Sequence, residues 1–269
     1  MLLQAFEDCI IFHGVVGLCQ SPVTFEICVA LQKVQKLLTS VERTCKKVGL
    51  GINAKKTKGL PINTEDSPPL HTSDGTELEW VDDFKYLGSW VEQTERDIAV
   101  RKSLAWQALS GMSRIWRSSL SKELKVRFFK GTVESILLYG CKTWALTEAM
   151  EHSLDGTYTR MLRKALNIHW SSHTPNEVLY GDLLHVRNTI AARRLQLAGH
   201  CIRYPELRAQ PLVLWEPSHG RRGWGRPKAT YVDTLKRDVG ARDTAELATL
   251  TRDRGIWYEH VVGRRQATK

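Results

Sequence analysis

No Cys-x-x-Cys pair occurs among the six cysteines, Cys9, Cys19, Cys28, Cys45, Cys141 and Cys201. Neither a disulfide framework nor a zinc knuckle is therefore signalled. His185 with His200 and Cys201 is the nearest approach to a metal set, and it lacks a second close pair, so no metal is expected. No run approaches the ~18 consecutive apolar residues of a membrane-spanning helix. The first residues include Glu7 and Asp8 where a signal peptide has a basic and then an uninterrupted apolar stretch. The expected setting is intracellular, nuclear or cytoplasmic, with no membrane partner. Internal repeats and long low-complexity tracts are missing as well. Acid is in short supply: 29 Asp and Glu stand against 39 Lys and Arg, a formal charge of +10. That balance draws a protein to phosphates, so RNA or DNA is the expected partner.

The hydrophobic content of 42% is enough for an ordinary core. From Leu31 the apolar residues Leu31, Val34, Leu38, Val41, Cys45 and Val48 recur at steps of three and four, which predicts a helix starting after Ser21-Pro22 and stopping at Gly49. Short extended pieces follow around Leu60 to Ile62. Asp74-Gly75 suggests a hairpin turn, and the segment from Leu78 to Gly88 favours strands. After about Gln93 the pattern becomes helical. Helices are expected over a face containing Ile98, Arg101, Ala105 and Trp116, then from about Ser121 to Tyr139, Met150 to Ile168, Val186 to Ile202, Tyr231 to Asp238 and Thr244 to Val262. The Pro205 to Pro227 segment reads as a linker. Trp106, Trp116 and Trp144 fall on helical patterns and read as core residues.

Positive charge concentrates in two stretches, Arg193-Arg194 through Gly199-His200 and Gly220 to Lys228. Between Arg221 and Arg237 the single acid is Asp233. Arg221, Arg222, Trp224, Arg226 and Lys228 combine phosphate-pairing groups with an indole able to stack on a base. The same residues also describe a solvated basic loop with a tryptophan anchoring it.

Four blocks resemble, in order and spacing, the C-terminal part of a non-LTR (LINE-type) retrotransposon reverse transcriptase. They are Val48 to Lys58, Phe84-Lys85-Tyr86-Leu87-Gly88, Leu137 to Trp144, and Arg193 to His200 with Gly225-Arg226-Pro227. The resemblance implies an α+β fold: small antiparallel strands and hairpins of a partial palm over 1–92, a mainly helical thumb over 93–204, and a basic loop with C-terminal helices over 205–269. It implies nucleotide or primer contacts at Asn53, Lys56, Thr57 and at Phe84, Lys85, Tyr86, Leu87 and Gly88. The alternative for Lys56 is one more solvated lysine, and for the Phe84 to Gly88 hairpin, packing under the thumb. Arg193 and Arg194 would join the C-terminal basic residues on nucleic acid.

Family members hold Mg²⁺ with paired Asp residues on a catalytic hairpin. The matching tetrad here is Phe6-Glu7-Asp8-Cys9, and a thiol is a poor magnesium ligand. A one-residue slip to Glu7 and Asp8 would put Glu7 on the wrong face. Asp8 is thus a degenerate remnant, the family's other metal-binding Asp lies upstream of the matched region, and no cofactor is expected in isolation. The expected function is a truncated polymerase segment that binds nucleic acid without catalysing. The alternative is a non-enzymatic nucleic-acid-binding host protein of retroelement descent.

Overall fold

The computed structural model describes residues 9–16, 23–30, 33–62, 68–86, 88–90, 93–204, 209–216 and 230–266. The fold is α+β and mainly helical, and among the described residues the short strands all lie before residue 91. It divides into two compact units, 3–92 and 93–269.

In the first unit, strands β1 (Cys9–Val16) and β2 (Val23–Ala30) form a fully antiparallel pair, from Cys9 opposite Ala30 to Val16 opposite Val23. Strand β3 (Lys58–Ile62) lies antiparallel on the other side of β1, and β4 (Glu79–Trp80) adds in parallel, in the order β2-β1-β3-β4. Pro61 is tolerated in β3 because β4 pairs only with Lys58 and Gly59, so one flank of Pro61 has no β4 partner. Helix α1 (Val34–Lys47) starts later than its periodicity predicts, because strand β2 occupies the residues just after Ser21-Pro22. The alternation of Val23, Phe25, Ile27 and Val29 has period two, which favours extended chain and overrides the Ser-Pro start signal.

Beneath α1, Val34 and Leu38 pack with Leu70 and Leu78. The segment bearing Leu70 and Leu78 turns at Thr72 to Thr76, where Asp74 Oδ1 accepts from the Thr72 hydroxyl at 2.5 Å and from the Thr76 N–H at 3.0 Å. Those bonds hold the Asp74 carboxyl down at about 2, the Thr72 hydroxyl contributing most. Gly75 supplies the positive φ of +85° that closes the turn.

The second unit holds two hydrophobic clusters that share one helix. Helices α2 (Thr94–Gly111) and α3 (Ser113–Arg117) are separated at Met112, so the predicted single face is broken there. Helix α4 (Lys122–Phe129) runs through a π-helical turn at Lys130–Glu134 into α5 (Ser135–Leu137). The wider turn shifts the helical phase and leaves Val133, Glu134 and Leu137 all buried. Helix α6 (Glu148–Ala165) is capped by Thr147, whose hydroxyl accepts from the Met150 N–H. With the short α7 (Asn176–Tyr180) and the start of α8 (Val186–Arg203), these elements bury the first cluster, including Leu109, Phe129, Trp144, Tyr158 and Leu162.

The second cluster gathers Leu195, Ala198 and Ile202 of α8 with Val213 of α9 (Gln210–Val213), Leu235 of α10 (Tyr231–Val239), Leu247 of α11 (Thr244–Arg252) and Trp257 of α12 (Arg254–Gln266). Two departures from expectation occur here. Helix α9 lies inside the segment that reads as a linker. The predicted helix over 244–262 is broken at Asp253, whose carboxylate accepts from the N–H groups of Gly255 and Ile256 and so starts α12 afresh. Trp116 and Trp144 are core residues, as their spacing predicts, while Trp106 is half-buried with the Lys164 ammonium 5.5 Å from its ring.

Candidate nucleic-acid interface

The Asn53 to Lys58 segment divides into capping residues and exposed lysines. Asn53 Oδ1 accepts from the Lys56 N–H at 3.2 Å and caps a short 3₁₀ turn over Ala54–Lys56. Thr57 is fully buried, and its hydroxyl donates to the Asn53 carbonyl at 2.9 Å. Thr57, expected at a nucleotide contact, is placed with its side chain inside its own turn. Lys55 and Lys56 are exposed. Lys58 pairs with Glu79 across β3 and β4.

The Phe84 to Gly88 segment does form a hairpin, with β5 (Lys85–Tyr86) antiparallel to β6 (Ser89–Trp90), Lys85 opposite Trp90 and Tyr86 opposite Ser89. Gly88 takes φ +86°, which the two-residue turn needs at its second central position. Lys85 is exposed and Phe84 half-buried. Leu87 and the side chain of Tyr86 lie outside the described residues, as do Asp8 and all of Arg221, Arg222, Trp224, Arg226 and Lys228.

The Arg193 to His200 block is where the structure departs furthest from the reading of charge. Arg194 is 1% exposed, and its Nε and Nη2 donate to Asp238 Oδ2 at 2.8 and 2.5 Å while Nη1 reaches the Trp144 carbonyl at 3.3 Å. It joins α8, α10 and the turn before α6. Arg194, expected on phosphate, is thus placed inside the unit with its Nε and Nη2 on one carboxylate. Arg193 is partly exposed, yet it donates to Glu134 Oε1 at 3.3 Å. Glu134 Oε2 also accepts from the Tyr158 hydroxyl at 2.8 Å. Burial, then the neighbouring Glu134 carboxylate, pushes the Tyr158 phenol well above its usual range. Gly199 is small because Trp257 lies against it, donating Nε1 to the Leu195 carbonyl at 2.9 Å.

Leu137 to Trp144 is likewise architectural. Gly140 at φ +75° stops the helix, Cys141 is buried with its thiol pushed up by desolvation, and Trp144 Nε1 donates to Asp97 Oδ2 at 2.9 Å. Arg101 lies 3.7 Å from Asp97 and 4.2 Å from the centre of the Tyr139 ring. On the α8 and α10 side, Glu151, Arg187, Asn188, Arg194, Arg237 and Asp238 line a cleft of about 290 Å³.

Among the described residues no group of three or more His, Cys, Asp or Glu is placed to hold a metal ion. His185, stacked on Tyr180, precedes α8, and His200 lies against Tyr204 near its far end. Fifteen helical residues put them ~22 Å apart, too far for one ion. No helix among the described residues is long and apolar enough to cross a membrane.

One basic surface is absent from the motif-based reading. Helix α1 exposes Lys36, Arg43, Lys46 and Lys47, while its single acid, Glu42, is buried and accepts the Ser73 N–H at 2.9 and 3.0 Å. The signal was available: these residues repeat at helical spacing in the segment whose apolar stripe is so plain.

No family model matches the chain, and no solved structure matches it. It is similar to a transposon-derived protein of Caenorhabditis elegans, with 28% identity over 240 residues, covering 82% of this chain and 86% of that protein.

Proposed function

We propose that the chain is a segment of a non-LTR retrotransposon reverse transcriptase that binds RNA or DNA through the phosphate backbone and does not polymerise by itself. The observation that carries this reading is the similarity to a transposon-derived protein. The part of the chain left unmatched is smaller than either unit, so the match takes in residues of both. The Phe84 to Gly88 hairpin, exposed Lys56 and the charge of +10 support binding.

The magnesium of polymerases does not fit the residues present. Cys9 opens β1, paired with Ala30 and Ile62, at the position the resemblance gives to an aspartate. A thiolate is too soft to replace a carboxylate on magnesium, and no step through the metal is derived.

Two measurements test the reading. Purified protein should retain a labelled RNA or DNA at low salt and release it steeply as salt rises, because phosphate contacts release counterions. No affinity even at about 50 mM salt would remove it. Primer extension on an RNA template with Mg²⁺ or Mn²⁺ should give no product. Template-dependent incorporation that Asp8→Ala abolishes would overturn the non-catalytic half of the proposal.

A further inference from the structure

The exposed charge of α1 is all of one sign. Its side chains project at about 100° per residue, so Lys36, Ser40, Arg43 and Lys47 fall within a band of about 60°. That band is opposite the side formed by Val34, Leu38 and Glu42, which are buried. Surface helices commonly alternate acid and base at i, i+4, which adds a little stability. Here Arg43 and Lys47 are like charges at that spacing and repel. Among the described residues none of Lys36, Arg43, Lys46 and Lys47 has an ion-pair partner, a state they share with exposed Arg114, Arg117 and Arg252 of the other unit, which are not gathered on one helix face. The one acid that could neutralise the face is withdrawn to bind the Ser73 backbone. Beside the band lies a cleft of about 430 Å³ lined by Thr39, Glu42, Arg43, Lys46, Lys47 and Ser73, in which the Lys46 ammonium donates to the Ser73 hydroxyl at 2.6 Å.

We infer that this face of α1 docks the phosphate backbone of RNA or DNA, with Lys36, Arg43 and Lys47 on phosphates. The inference rests on the nucleic-acid-binding reading above and locates one of its contact surfaces. From Lys36 to Lys47 the face runs ~17 Å, and duplex DNA presents about one charge per 1.7 Å of axis, so several phosphates come within reach. Polyanion binding relieves the Arg43–Lys47 repulsion that the free helix carries. A lipid surface is the poorer occupant. Helices that lie on membranes bury an apolar face in the acyl region, and the apolar face of α1 is already committed to Leu70 and Leu78.

The test compares the whole chain with two triple variants of equal net charge. One is Lys36→Gln, Arg43→Gln, Lys47→Gln; the control is Arg114→Gln, Arg117→Gln, Arg252→Gln, at exposed positions of the other unit. Binding of a fluorescein-labelled single-stranded 30-nucleotide RNA is read by anisotropy from about 0.05 to 0.5 M salt, with circular dichroism melts to verify folding. Three lost phosphate contacts should flatten the log–log salt slope by about 2 and weaken binding about a hundredfold at 0.1 M salt. The control should lose much less. Equal losses in the two variants, with the wild type binding, would overturn this inference and leave the proposed function standing. A wild type without RNA or DNA affinity would overturn both. Loss of binding to phosphatidylserine vesicles by the α1 variant, with RNA binding unchanged, would overturn the inference in favour of a membrane.

Discussion

Replacing Asp238 by Ala separates the two roles that Arg194 can have. In the structure the Arg194 guanidinium is 1% exposed and sends two of its donors to Asp238 Oδ2. Removing the carboxylate leaves a buried cation with only the Trp144 carbonyl for a partner, at 3.3 Å. Breaking one side of a buried ion pair costs about 3–5 kcal/mol, because the remaining charge keeps its desolvation penalty without its compensation. For a unit of this size each kcal/mol lowers the melting temperature by roughly 2–4 °C, so Asp238→Ala should melt about 6–20 °C lower. The double variant Arg194→Met, Asp238→Leu should recover most of that loss, since an apolar pair of similar volume removes both charges from the interior. Differential scanning calorimetry gives the melts, and RNA anisotropy below the transition gives binding, which should be unchanged in both variants. An Asp238→Ala protein that melts within about 2 °C of wild type would refute the argument, since the penalty for stranding a buried charge cannot hide in so small a shift.

Two further outcomes follow from the same unit. At Gly199 an added Cβ would overlap Trp257 Nε1, so Gly199→Ala should displace α12, break the bond to the Leu195 carbonyl and cost about 1–3 kcal/mol. A red-shifted tryptophan emission with a lower urea midpoint is the expected signature, and an unchanged midpoint would contradict the packing described. The phenols of Tyr158 and Tyr180 are both pushed upward, chiefly by burial. A group whose folded value is raised stabilises the fold fully below its unfolded value and loses that contribution as pH climbs past it. Stability should therefore hold up to about pH 10 and fall above it. Urea midpoints between pH 8 and 11 should show a flatter alkaline limb in Tyr158→Phe than in wild type, from a lower starting value because Glu134 loses a donor. Limbs of equal slope would mean that Tyr158 does not carry the effect.

Periodicity made most of the second unit legible. The spacing of Val186 to Ile202 and of Tyr231 to Asp238 marks α8 and α10 to within a residue, because amphipathic repeats report burial directly. Breaks inside a continuous pattern were not legible: Met112 and Asp253 interrupt helices whose apolar spacing runs on, and the π-helical turn at Lys130–Glu134 changes phase with only Gly131, which an ordinary helix also tolerates, to mark it. Charge was the least reliable guide to the interface. Arg194 and Arg193 look alike in the sequence, yet one is locked to an acid 44 positions away, and no local pattern announces Asp238 as its partner. The basic face of α1 was overlooked for the opposite reason, since its charges alternate with so regular an apolar stripe that the helix reads as structure alone.

Helix α8 buries residues in both clusters of the second unit. Ile190 and Val186 belong to one cluster, Leu195, Ala198 and Ile202 to the other, and Arg194 and Gly199 meet Asp238 and Trp257 in the gaps between. Such a helix cannot slide by a turn or roll by a residue without losing contacts in both clusters at once. It serves as a keyway: α6 and the turn at Cys141–Thr143 on one flank, and α10, α11 and α12 on the other, all pack against it, and the Arg237–Glu151 ion pair and the Tyr231 hydroxyl on the Lys142 carbonyl tie the flanks together beside it. A sequence drifting under mutation would find its neutral exchanges at exposed positions such as Arg187, Gln196 and His200, and few among the buried ones. Within the Arg-Arg-Leu-Gln-Leu-Ala-Gly-His string, Arg194, Leu195, Ala198 and Gly199 are held by the geometry of two cores, a restraint that needs no ligand.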